Sequence, residues 1–99
     1  MNNLTKLGYV NGVHTFKFDT FGVCPKNMFM KVDDNKRLID LKIMGGCDGN
    51  SKAVSILVTG LTLEDIITKL RNLTCNTKPT SCGDQLAVAC EMILESYFN

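Results

Sequence analysis

The sequence predicts an α+β domain: a small antiparallel three-stranded sheet followed by three helices packed on one face. Three observations carry this expectation. Apolar and polar residues alternate through three segments between His14 and Met44, as in half-buried strands. Beyond residue 50 the apolar spacing lengthens to that of a helix. The 99 residues, 44% of them apolar, suit one domain (1–99) able to bury a core without disulfide staples.

In the first predicted strand His14, Phe16 and Phe18 alternate with Thr15, Lys17 and Asp19. After a turn from Phe21 to Lys26, Met28, Met30 and Val32 alternate with Phe29, Lys31 and Asp33. Asp33-Asp34-Asn35-Lys36 reads as a hairpin loop, and Ile39, Leu41 and Ile43 supply the apolar face of the third strand. The first helix, capped near Asn50 or Ser51, should line up Val54, Leu57, Val58 and Leu61, with Gly60 at its C-terminal cap. Thr62-Leu63-Glu64-Asp65 resembles a capping box and opens a second helix carrying Leu63, Ile66, Ile67 and Leu70 on one side. A third helix opens at Ser81, with Leu86, Cys90, Ile93 and Tyr97 as its buried stripe.

Eleven basic residues stand against ten acidic ones, a net charge of +1, with lysines scattered along the chain. This gives no electrostatic footprint for nucleic acid or an anionic membrane. The densest basic stretch, Lys31, Lys36, Arg37 and Lys42, reads as solvated surface. No apolar run approaches the ~20 residues that span a bilayer, and residues 1–6 carry no secretory pattern. A cytoplasmic location is therefore expected, where cysteines at special positions serve metals or redox chemistry more often than structural disulfides.

There are five cysteines. Cys24, in Gly22-Val23-Cys24-Pro25, falls in the turn between the first two predicted strands. Cys47, in Gly45-Gly46-Cys47-Asp48-Gly49, falls between the third strand and the first helix. Cys75 follows the second helix, and Cys82 begins the third. A hairpin should place the flanks of Cys24 and Cys47 at one end of the sheet, and the stretch from Cys75 to Cys82 can reach the same end. Cys82 in a first helical turn meets the positive end of the helix dipole, which favours a thiolate. Cys90, on an apolar stripe, reads as packing. The gaps between consecutive cysteines are 22, 27, 6 and 7 residues, so the Cys-x(2–4)-Cys knuckle of most structural zinc sites is absent. Composition and spacing alone thus leave a four-cysteine metal site, reactive thiols and inert packing all open.

One stretch is more specific. Thr80-Ser81-Cys82-Gly83-Asp84-Gln85-Leu86-Ala87 resembles the Thr-Ser-Cys-Pro-Asp signature of the TSCPD-domain family. The likeness continues through Gly22-Val23-Cys24, Gly45-Gly46-Cys47, Gly49-Asn50, Leu57-Val58, Gly60 and Lys78, covering about Phe21 to Ala89. Such domains occur alone as small bacterial proteins and as C-terminal extensions of adenosylcobalamin-dependent ribonucleotide reductases. The resemblance implies a metal site, with zinc the expected ion, at Cys24, Cys47, Cys75 and Cys82. It also implies an accessory or partner-presenting role, with ribonucleotide reductase as a possible partner protein. The chain is far too short to carry that enzyme's catalytic barrel, so no enzymatic activity of that kind is expected. One departure stands out: Gly83 replaces the signature proline, giving up a φ pre-set for the first helical turn. Cys24, Cys47 and Cys82 also resemble, more faintly, the layout of iron–sulfur cluster scaffold proteins, making a cluster the alternative cofactor. A dithiol–disulfide pair of Cys75 and Cys82 is the redox alternative.

The other candidates read more plainly. His14, the only histidine, is expected as a half-buried strand residue rather than a ligand. Asp84 is most simply a partner for the N–H groups of a helix start, and Gln85 either supports the cysteine site or faces solvent. The methionines read as core filler. The glycines near Cys47 lack phosphate-loop spacing, and no Ser-His-Asp set is present.

Overall fold

A computed structural model describes residues 3–20, 27–44, 55–71 and 82–98. Its sheet has four strands, not three. These are β1 (Asn3–Val10), β2 (Val13–Asp19), β3 (Asn27–Asp33) and β4 (Leu38–Met44), paired antiparallel in the order β1-β2-β3-β4. The extra strand is β1, an edge strand joined to β2 by Asn11-Gly12. Both turn residues have positive φ, 51° and 81°, as the two central positions of a type I′ hairpin turn require. Clean alternation is missing from β1 because its inward position opposite Phe16 is taken by Lys6, and a register shift between Lys6 and Gly8 resets the strand at Leu7.

The inward face is built in register. Phe16 pairs with Met30 and Phe18 with Met28; Met30 pairs in turn with Leu41, and Met28 with Ile43. Phe16, Phe18, Met28, Met30 and Val32 are fully buried. On β4 the expected apolar face needs correction. A shift between Lys31 and Val32 sets Leu38 opposite Val32. Leu38 is fully buried as a result, and Ile39 is left 40% exposed.

Helix α1 is described from 55 to 58. Val58 is buried and Leu61 packs against the core, but Leu57, expected inward, is 74% exposed; Val54 lies outside the described residues. Gly60 terminates this turn at φ 95°, a conformation that side chains with a Cβ resist. There the chain pairs with the start of β4. The Leu38 N–H donates to the Leu61 carbonyl (2.9 Å), the Gly60 N–H to that of Leu38 (2.7 Å), and the Leu63 N–H to that of Lys36 (2.8 Å).

Helix α2 (Leu63–Leu70) starts where its sequence says it should: the Asp65 N–H donates to Thr62 Oγ1 at 3.2 Å. Leu63 and Ile66 are its buried face. Helix α3 (Cys82–Tyr97) is described from Cys82, and the expected start at Ser81 lies outside the described residues. It buries Leu86, Ala89, Cys90 and Ile93 against the sheet and α2. Tyr97, expected in that stripe, is 41% exposed, and its ring lies 5.1 Å from that of Phe16. Strands and helices thus share one core on the inner sheet face, while Lys17, Lys31 and Lys42 alternate onto the outer one.

Candidate functional site

Cys24, Cys47 and Cys75 lie outside the described residues; Cys82 is the first residue of α3. What the structure does give is the framework that flanks them. Asn27, three residues after Cys24, is the Cα partner of both Asp19 and Met44, and Met44 stands three residues before Cys47. The chain therefore enters and leaves the Cys24 segment, and departs toward Cys47, from one row across one end of the sheet. At that row Asn27 Oδ1 is buried without a hydrogen-bond partner among the described residues. Leaving an acceptor so costs about 1–3 kcal/mol, so a donor group placed at this corner would add stability.

The segment carrying Cys75 is also held at both ends. Arg71, directly after α2, donates from Nη1 to Asp84 Oδ1 at 2.7 Å and from Nε to Glu91 Oε1 at 2.6 Å. Asp84, two residues past Cys82, is only 5% exposed, and the carboxylates raise the affinity of Arg71 for its proton, Asp84 foremost. One guanidinium thus joins the end of α2 to the first and third turns of α3. Gln85 is also buried, at 5% exposure, so it does not face solvent.

Gly83 occupies the second position of α3. A Cβ there would meet the Leu70 side chain at 3.4 Å, ordinary contact. The glycine in place of the family's proline is thus not required by crowding, and backbone freedom at the helix start is what it adds.

His14 is confirmed as a half-buried strand residue, its side chain 13% exposed. Its Nε2 lies 2.9 Å from Asp34 Oδ1 and its Nδ1 lies 3.0 Å from Lys6 Nζ, so both ring nitrogens already have protein partners. Cys90 is fully buried, and burial pushes its thiol pKa up to about 12. That is the reverse of what a ligand or nucleophile needs. Among the described residues no three His, Cys, Asp or Glu side chains gather closely enough to hold a metal ion.

The sequence reading missed Asn27 and Arg71. An asparagine opening a strand looks like turn chemistry, and Arg71 after α2 looks like an ordinary last-turn cation. Only the packing of α2 on α3 reveals the arginine as a joint.

A model of the TSCPD domain matches residues 9–94. The chain belongs to the TSCPD-domain family. That match extends the resemblance upstream to include the end of β1, and it confirms the family reading of Thr80–Ala87. No curated protein and no solved structure matches the chain. Among the described residues of this TSCPD domain no helix is long and apolar enough to cross a membrane.

Proposed function

We propose that this TSCPD domain is a metal-binding module that holds one zinc ion through Cys24, Cys47, Cys75 and Cys82. The observation that carries the reading is the pinning of the cysteine-bearing segments: two leave one row, Asp19–Asn27–Met44, and the third is bracketed by the Arg71–Asp84 ion pair. The run of α3 supports it. Its C-terminal turn sits beside His14 and Phe16, at the start of β2. A 16-residue helix is about 24 Å long, close to the roughly 23 Å of a seven-residue strand. A helix of that length laid along β2 would carry Cys82 toward the opposite end of the sheet, where Asp19 and Asn27 lie.

The donor set fits the metal. Four soft thiolates with no carboxylate or water in the set suit tetrahedral zinc, which needs no open position. When bound, zinc would supply cross-linking of three chain segments and nothing redox. The protein's own residues set the ligand positions, with the N-terminus of α3 favouring the Cys82 thiolate. We place the domain in the cytosol, where thiols stay reduced, in an accessory role presented to a partner such as ribonucleotide reductase.

Cobalt substitution tests the ligand set. Four thiolates around Co²⁺ should give strong sulfur-to-cobalt charge-transfer absorption together with the d–d bands of a tetrahedral ion. Octahedral cobalt bands without charge transfer would exclude the four-cysteine site. Visible absorption in protein reconstituted with iron and sulfide instead would favour a cluster.

A further inference from the structure

We propose that Lys6, His14 and Asp34 form a proton-operated latch that fastens the C-terminal turn of α3 to the β1–β2 hairpin. Lys6 is unusual in pointing toward the core from an edge strand, opposite Phe16. Its ammonium lies 5.1 Å from the ring centre of Tyr97, 5.5 Å from Tyr9 and 5.9 Å from Phe16. Cations are attracted to such ring faces. The same ammonium lies 3.0 Å from His14 Nδ1.

An ammonium can only donate, so Nδ1 must accept. The imidazole proton is then on Nε2, which donates to Asp34 Oδ1 at 2.9 Å. Tyr9 donates to the other carboxylate oxygen at 3.0 Å. Asp34 reaches this position because Gly12 leaves room: a Cβ there would come within 3.3 Å of Asp34 Oδ2. From just past the end of α3, Phe98 sits edge-on to the His14 ring at 5.2 Å. Lys6 and Tyr9 of β1, Asp34 of the turn between β3 and β4, and Phe98 just past α3 thus meet on one imidazole.

Acidification changes one contact selectively. A second proton on His14 turns Nδ1 into a donor facing the Lys6 ammonium. The Asp34 bond survives and strengthens, because the His14 and Tyr9 hydrogen bonds hold that carboxyl below its usual range and keep it ionised. Tyr9, whose proton Asp34 holds more tightly than usual, stays neutral. The β3 residue paired with His14 is the apolar Val32, and the ring that meets it from just past α3 is Phe98, so neither neighbour supplies a charge that takes up the conflict. Lys6, on a flexible stem at a sheet edge, is the member free to swing away, and its hold on Tyr97 goes with it.

Hydrogen exchange on the full chain, read as protection of amides 94–98 relative to 86–92, tests this between pH 7.5 and 5.5. Protection of the last turn should fall about two- to fivefold on acidification, the weight of one exposed cation–π contact. It should stay flat in Lys6→Met and in His14→Gln. An equal fall in Lys6→Met, or none in the wild type, would overturn the latch. Nitrogen NMR of the wild-type imidazole gives an independent arm: a neutral ring protonated at Nδ1 rather than Nε2 would also overturn it.

Discussion

Cys90 separates the two kinds of cysteine most sharply. Its side chain is fully buried among Leu86, Ala89 and Ile93 on α3, and burial moves its pKa from the ordinary 9.0 to about 12. At pH 8 an ordinary thiol is about 10% thiolate, whereas one at about 12 is roughly 0.01%. The reactive form is therefore about a thousandfold scarcer before steric exclusion is counted. Pulse alkylation with iodoacetamide, followed by peptide mass spectrometry, reads this directly. In native, metal-stripped protein Cys90 should label at least a thousandfold more slowly than in guanidinium, where it should behave as a free thiol. Labelling of native Cys90 within tenfold of the unfolded rate would refute the burial argument, and with it the split between four site cysteines and one packing cysteine.

Other outcomes follow from individual contacts. Arg71→Met removes one partner of buried Asp84 and should lower stability by about 1–2 kcal/mol, toward the low end for a charged bond because Arg71 is itself 38% exposed. Chemical denaturation checks it, and no loss would mean that α2 and α3 hold without the joint. Gly60→Ala meets no atom within 4 Å but must adopt φ 95°. It should cost about 1–2 kcal/mol from backbone strain alone, while Gly8→Ala, also in open space, should stay within roughly 0.5 kcal/mol. Asp34 has its carboxyl held below the usual 3.8 by His14 first and Tyr9 second. A lowered folded value means that its contribution is present above the unfolded value and lost as pH falls through the folded one. The stability gap between wild type and Asp34→Asn should therefore narrow as pH falls from 5 through the ordinary 3.8 and below; a gap that widens over that range would reverse the assigned sign.

Much of this fold is legible because burial follows periodicity. The inward residues of β2 and β3 alternate as written, and Thr62 caps α2 through its own hydroxyl. β1 escapes the pattern because an inward lysine and a bulge break it, although Asn11-Gly12 between Val10 and Val13 is itself a hairpin signal. Leu38 and Ile39 exchange faces for a similar reason, since one inserted residue flips every side chain beyond it. Leu57 and Tyr97 show the limit of helical spacing, which gives a stripe but not where the sheet beneath it ends. For the candidate site, local context singles out the four cysteines through their glycine, proline and cap neighbours. The Arg71 joint and the Asn27 acceptor depend on residues far apart in sequence, and no local pattern encodes them. Asp84 illustrates the difference: a first-turn acid by sequence, it is by packing the anchor of an ion pair between two helices.

The central claim is a metal held by four cysteines, and metal content tests it most directly. Protein purified anaerobically without chelator should carry about one zinc per chain by elemental analysis. A Cys47→Ser, Cys82→Ser double variant with unchanged far-ultraviolet circular dichroism should carry none. No metal in the wild type, or equal metal in the folded double variant, would contradict the account.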